Sequence, residues 1–147
     1  ELAQDLVAQF QPQALQKEIQ LKAILPNEPL SLVNADIALM ERAIANLIDN
    51  AIKNTPNNGE VYIIPANAGN KVSVEISDTG VGIPQDQINR IFDRFYQTDP
   101  SRTGDSGVGL GLSIAQKILE LHGSKLSVKS VLNKGTTFSF NLLPYTG

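Results

Sequence analysis

No cysteine and no tryptophan occur among the 147 residues, and histidine occurs once. The missing thiols exclude disulfides and thiolate chemistry, and they fit a reducing cytoplasm. A single imidazole excludes a histidine-built metal centre. No apolar run approaches the roughly 18 residues that a membrane span needs, so this domain is not expected to contact a membrane directly. Lysine and arginine number 12 against 15 acidic residues, a net charge of -3 with both signs scattered. That distribution lacks the basic footprint of a nucleic-acid binder. An initiating methionine and a signal peptide are also missing, and a chain opening at Glu1 reads as a piece excised from a longer protein. Carboxylates, amides, glycines and cations are left to carry the chemistry.

The length and an apolar fraction of 41% suit one domain with its own core, residues 1–147. Leu2, Leu6, Val7, Phe10, Ala14 and Leu15 recur at helical spacing, so a helix is predicted over 2–18, bent or broken near Pro12. Residues 19–25 alternate like a strand and 30–33 are expected to pair back on them after a turn at Pro26–Pro29. Asp36 can cap a long helix that Thr55-Pro56 stops. Strands at 60–64 and 71–77, a helix at 84–95, a helix at 110–121 ending at Gly123, and strands at 125–131 and 136–143 complete the reading. The turn-forming stretch 97–107 reads as a loop. Together these make an α+β two-layer sandwich: a mixed, mostly antiparallel sheet of about five strands, plus the short N-terminal pairing, against three helices.

Chemistry concentrates in three places. At about 100° per residue, Met40, Ile44, Leu47, Ile48 and Ala51 fall on one side of the long helix. Arg42, Asn46, Asp49 and Lys53 fall on the other, with Asn50 at the edge. This stripe is either a solvated face or a site. Asparagine is a poorer helix former than Lys, Glu or Gln by about 0.5 kcal/mol, whereas its carbonyl can ligate Mg²⁺ and a lysine one turn on can meet phosphate. After the strand at 72–76 comes Asp78-Thr79-Gly80-Val81-Gly82-Ile83-Pro84. It is either a plain connector or a place where a flat ligand lies against backbone while Asp78 accepts from an exocyclic amine. The run Gly107-Val108-Gly109-Leu110-Gly111 opens a helix, where N–H groups and the helix dipole favour phosphate. Its spacing matches neither the Walker pattern nor the dinucleotide fingerprint.

In order along the chain, NLIDNAIKNTP, DTGVGIP, IFDRFYQ, GVGLGLSIAQKILELHG and KGTTFSF resemble the ATP-binding catalytic domain of sensor histidine kinases. That family shares a superfamily with gyrase, mismatch-repair and heat-shock chaperone ATPases. The resemblance implies ATP and Mg²⁺ as ligands. It makes Asn50 the Mg²⁺ ligand, Asn46 its neighbour at the phosphates, and Lys53 the phosphate-binding cation. Asp78 becomes the adenine-binding aspartate, with Gly80, Gly82 and Ile83 shaping the base pocket. Gly107, Val108, Gly109, Leu110 and Gly111 accommodate the phosphates, and 97–107 is the ATP lid. Phe92 and Phe95 anchor the lid; Arg94, Tyr96 and Arg102 reach the phosphates or ribose, or else are solvated lid flanks. Thr136, in the closing turn, approaches the adenine or stabilises that turn.

Two departures stand out: Asn54 replaces an aromatic, and Gln97 replaces an arginine, both common in relatives. Hydrolysing members of the superfamily carry a glutamate base where this chain has Asn46. An amide takes no proton from water, so the resemblance implies transfer to a protein acceptor rather than hydrolysis. Asn46, Lys53 and Arg94 are then the catalytic group. The acceptor histidine lies on an upstream dimerisation hairpin, with residues 1–7 adjoining it. His122, at a helix C-terminus, reads as a cap for free carbonyls. The implied partners are that hairpin and a response regulator receiver domain. The fragment is expected to be monomeric and cytoplasmic, the full protein a homodimer anchored by analogy in the inner membrane. A superfamily ATPase clamp and a non-catalytic nucleotide sensor are the alternative readings.

Overall fold

The computed structural model describes residues 2–31, 33–91 and 110–144. Helix α1 (Leu2–Gln16) runs through Pro12. A proline there forfeits the N–H bond to the preceding turn, and of the expected bend or break the helix shows no break. Leu6 and Ala14 are buried, and Phe10 packs on the core between them, so tertiary contacts hold the helix on both sides of the proline.

Strand β1 (Gln20–Ala23) buries Leu21. Its partner corrects the sequence expectation: β1 pairs in parallel with β2 (Glu60–Ala68), Gln20 opposite Glu60, and not with residues 30–33. Two prolines in the 26–29 stretch cannot donate to a ladder, whereas β2 offers nine residues with Val61 and Ile63 buried. The returning segment is held by a side chain instead. Asn67 accepts from the Ser31 N–H at 2.8 Å and donates to the Pro29 carbonyl at 2.9 Å. Val33 forms an isolated bridge with Pro144.

Helix α2 (Ile37–Asn54) begins as expected, with the Asp36 carboxylate accepting from the Leu39 N–H at 3.0 Å. It ends at Thr55, whose fully buried hydroxyl donates to the Ala51 carbonyl at 2.7 Å. Met40, Ala43, Ile44, Leu47, Ile48, Ala51 and Ile52 are buried against the sheet. Strand β3 (Lys71–Asp78) and β5 (Gly135–Leu142) pair antiparallel, and β4 (Ser127–Val131) lies outside β5. The sheet order is β1-β2-β3-β5-β4.

The two-residue period of β3 puts Val72, Val74 and Ile76 on the helix-facing side. Across the ladder Val74 meets Phe140 and Ile76 meets Phe138. Asp78 is the next position in that inward row, opposite Thr136. A carboxylate is thereby carried to the end of the core by the same alternation that buries its apolar neighbours.

After β3 the expected helix over 84–95 is, within the described residues, a 3₁₀ helix at Gln85–Arg90. Helix α3 (Leu110–Leu121) buries Ala115, Ile118 and Leu119 and packs on α2. It closes at Gly123, whose φ of +70° suits glycine. Among the described residues the chain forms the predicted sandwich, one mixed five-stranded sheet under three α-helices.

Candidate nucleotide-binding site

Asp78 is 6% exposed. Its Oδ1 accepts from the Gly80 N–H at 2.8 Å and from the Thr136 N–H at 3.3 Å. Its Oδ2 accepts no hydrogen bond from any described residue, so one lone-pair edge remains for a ligand. Burial pushes the carboxyl up from 3.8 to about 6, against the opposing pull of the Gly80 and Thr136 amides. At about 1.4 kcal/mol per pH unit, keeping it ionised at neutral pH costs the fold about 3 kcal/mol.

The loop after Asp78 is wedged between two backbones. Val81 donates to the Asn54 carbonyl at 3.2 Å, and Asn133 donates to the Val81 carbonyl at 2.7 Å. A Cβ on Gly80 would fall on the Asn54 carbonyl oxygen, and one on Gly82 (φ +75°) would fall on that of Val131. Both glycines are therefore required by close approach. Ile83 is buried and donates its N–H to Ser130 Oγ at 2.8 Å. Ser130 Oγ also lies 2.8 Å from Thr136 Oγ1 and 3.0 Å from the Gly135 carbonyl. Thr136 is buried and joins the Asp78 group through both its amide and this hydroxyl pair.

On α2, Asn46, Asn50 and Lys53 are half-buried. Asn46 Nδ2 is enclosed and finds no hydrogen-bond acceptor among the described residues. A buried amide donor without a partner is costly, and a phosphate oxygen would satisfy it. Lys53 pairs with Asp49 at 3.1 Å. The first turn of α3 stands over this stripe: a Cβ on Gly111 would sit 3.8 Å from Asn46 Cβ, an ordinary contact. Packing on described residues does not require glycine there, although glycine in a helix is worth about 0.5–1 kcal/mol less than alanine. Close approach of a ligand to the backbone supplies a reason.

The structure thus brings together Asp78, Gly80, Gly82, Ile83 and Thr136 around one carboxylate, and sets Gly111 over Asn46. The Asn54 carbonyl joins the two groups by meeting the Gly80 loop where α2 ends. Leu110 opens α3. Arg94, Tyr96, Arg102, Gly107, Val108 and Gly109, with Phe92, Phe95 and Gln97, lie outside the described residues.

Sequence reasoning passed over Gly135 and Ser130. Gly135 has φ +142°, and a Cβ there would strike the Asp78 carbonyl. Its signal was the turn Asn133-Lys134-Gly135, with Asn133 at φ +66°. Ser130 gave none, since a serine on a strand looks like any half-exposed position.

His122 is placed as expected, at the C-terminus of α3. Its Nε2 accepts from the Asp36 N–H at 3.0 Å, which leaves the proton on Nδ1 to donate to the Ile118 carbonyl at 2.8 Å. It ties the end of α3 to the start of α2.

Residues 35–147 match the family described as histidine kinase-, DNA gyrase B-, and HSP90-like ATPases. Over 142 residues the chain is 37% identical to the adaptive-response sensory kinase SasA of Gloeothece citriformis (strain PCC 7424), a match covering 96% of this chain and 36% of that protein. The chain therefore spans about a third of that relative's length. The nucleotide-free catalytic domain of histidine kinase ThkA superposes with a TM-score of 0.81 at 31% identity, covering 97% of this chain and 90% of that one. ThkA has also been crystallised with the response regulator protein TrrA. Full-length ShkA in complex with AMPPNP gives a TM-score of 0.85 at 28% identity, covering 99% of this chain and 30% of that one.

Proposed function

Because the chain belongs to the histidine kinase-, DNA gyrase B- and HSP90-like ATPase family, we propose that it binds ATP with Mg²⁺ and donates the γ-phosphoryl group to a histidine on a separate helical hairpin of the whole protein. The observation that carries this reading is Asp78: a buried carboxylate with one oxygen bonded and the other left over, at the end of a core row. An adenine amine is the complement of that oxygen, and the flanking glycines let a flat base lie against backbone. The likeness to the ThkA catalytic domain and to the sensory kinase SasA supports the same assignment.

The phosphates then lie between α2 and the start of α3. Asn46 donates its unpaired amide hydrogen to a phosphate oxygen, and Lys53 supplies a mobile positive charge. The described residues include no group of three or more carboxylate, imidazole or thiol side chains suited to a metal. A donor set of one amide oxygen, from Asn50, completed by phosphate and water oxygens, is what Mg²⁺ accepts. When bound, Mg²⁺ supplies charge neutralisation at the triphosphate. Positioning and electrostatics supply the rest. Arg94, Tyr96, Arg102 and the run 107–109 complete the phosphate and lid side of the site on this reading.

Transfer is favoured over hydrolysis because the residue one turn before Asn50 is Asn46, whose amide has no basic lone pair with which to deprotonate water. Glu41 is exposed and does not replace it. On the same reading residues 1–7 adjoin the hairpin, the whole kinase is a homodimer, and a response regulator takes the phosphoryl group onward. Among the described residues no helix is long and apolar enough to cross a membrane; attachment of the whole kinase to one would lie elsewhere.

Titration with ATP and Mg²⁺, followed by addition of the phosphoacceptor hairpin in trans, tests the proposal. Binding with label transfer from γ-labelled ATP is the expected result. Steady phosphate release by the chain alone would replace the kinase reading with a hydrolase. Indifference to adenine nucleotides would remove the site.

A further inference from the structure

Helix α1 is tied to the segment of α2 that bears the polar stripe. Gln13 on α1 and Lys17, just past its last residue, reach Asp49 and the carbonyls of Ile52 and Lys53 on α2. Gln13 Nε2 donates to Asp49 Oδ1 at 3.0 Å across 36 positions of sequence. Lys17 Nζ donates to the Ile52 carbonyl at 2.9 Å and to that of Lys53 at 3.3 Å. Asp49 divides its oxygens: Oδ1 serves Gln13, while Oδ2 holds the Lys53 ammonium at 3.1 Å. The side chains of this pair are 30% and 37% exposed, so it is formed in water-accessible space and can be exchanged. A carboxylate needed only to solubilise α2 would not be fixed from a second helix.

We propose that Asp49, held in place by Gln13, is a resident competitor for Lys53 that lowers the preference of the site for nucleoside triphosphate over monophosphate. The inference rests on reading Lys53 as the phosphate-binding cation. The ammonium lies on Asp49, and a polyphosphate must draw it away while Gln13 keeps the carboxylate from following. A monophosphate nucleotide, gripped chiefly through Asp78 and its base, makes less demand on Lys53. Asp49 and Gln13 are thus positioning residues that set how strongly the site discriminates by phosphate number, and α1 becomes part of the nucleotide site without touching the ligand.

The test measures dissociation constants of ATP·Mg²⁺ and AMP for the chain and for Asp49→Asn, Gln13→Ala, Lys53→Met and their pairs. Asp49→Asn is expected to tighten ATP about two- to fivefold, the span over which exposed ion pairs couple, and to leave AMP within about twofold. Gln13→Ala is expected to act in the same direction by less, and to add nothing once Asp49 is Asn. In the Lys53→Met background Asp49→Asn should lose its effect. The same tightening with and without Lys53 would mean that Asp49 acts only through its general field, and would overturn the proposal. ATP affinity unchanged by Asp49→Asn, with AMP still bound, overturns it while leaving the nucleotide site intact. A parent chain that ignores ATP and AMP alike overturns both.

Discussion

The C-terminus of α3 and the end of β3 each place a polar side chain where a backbone amide needs an acceptor, and they satisfy it in opposite ways. Asp78 and His122 illustrate this. At the α3 end, His122 uses both ring nitrogens, one accepting from Asp36 and one donating to Ile118, and nothing is left over. At the end of β3, Asp78 is buried at an energetic cost and keeps an oxygen unspent. A residue kept for the fold closes its own hydrogen bonds. On the proposed reading Asp78 is kept for a ligand and holds capacity in reserve, at a cost to the fold. Asn46, with its enclosed amide hydrogen, belongs with Asp78 in this respect.

If this contrast is right, Asp78→Asn separates function from stability. Adenine nucleotide affinity should fall on the order of 100-fold, because the anionic oxygen proposed to accept from the adenine amine is lost. The melting temperature should rise by a few degrees, because the buried charge is lost too while Oδ1 can still accept from Gly80 and Thr136. Calorimetry and thermal melts read both. A variant that loses affinity and also melts earlier would put Asp78 among the structural residues.

The glycines divide along the same line. Gly82→Ala or Gly135→Ala forces a Cβ into backbone at positive φ, and should destabilise the fold by at least about 2 kcal/mol in denaturant titrations. Gly111→Ala has room. It should leave stability unchanged or raise it by about 0.5–1 kcal/mol while weakening ATP binding.

Acidification probes the carboxylate without a mutation. Nucleotide affinity should decline as pH falls through about 6, approaching tenfold per unit below it, as Asp78 takes up a proton. The stability contribution has the reverse sign: the folded carboxyl has the higher pKa, so its contribution is fully present below 3.8 and is lost as pH rises through about 6. Asp78→Asn should flatten both dependences. The smallest effect belongs to the end of α3. His122→Ala should cost about 1 kcal/mol, leave ATP affinity unchanged, and show no loss of label from γ-labelled ATP.

Much of this was legible along the chain because it depends on short-range periodicity. The alternation of Val72, Val74, Ile76 and Asp78 already places the carboxylate in the inward row, and the 3.6-residue repeat of α2 already separates Asn46 and Lys53 from Leu47 and Ile48. Asp36 and Gly123 announced the helix ends that they cap. Features set by pairing between distant segments were not legible. The approach of Gly135 to Asp78 depends on a register joining residues 57 positions apart, read from their two numbers. The parallel partner of β1 lies across an entire helix, with no turn motif to advertise it, and a nearer segment looked equally suitable. The helix continues unbroken through Pro12 because local propensity is outweighed by the packing of Leu6, Phe10 and Ala14.

The Asp78 Oδ1 atom fastens two pieces of chain at once, the loop amide at Gly80 and the first rungs of β5 at Thr136. On the proposed reading, base recognition and the seam between β3 and β5 share a single pin. Peeling β5 away from its neighbour would then spill the purine, and a seated purine would staple that seam, tying occupancy of the pocket to the solidity of the sheet.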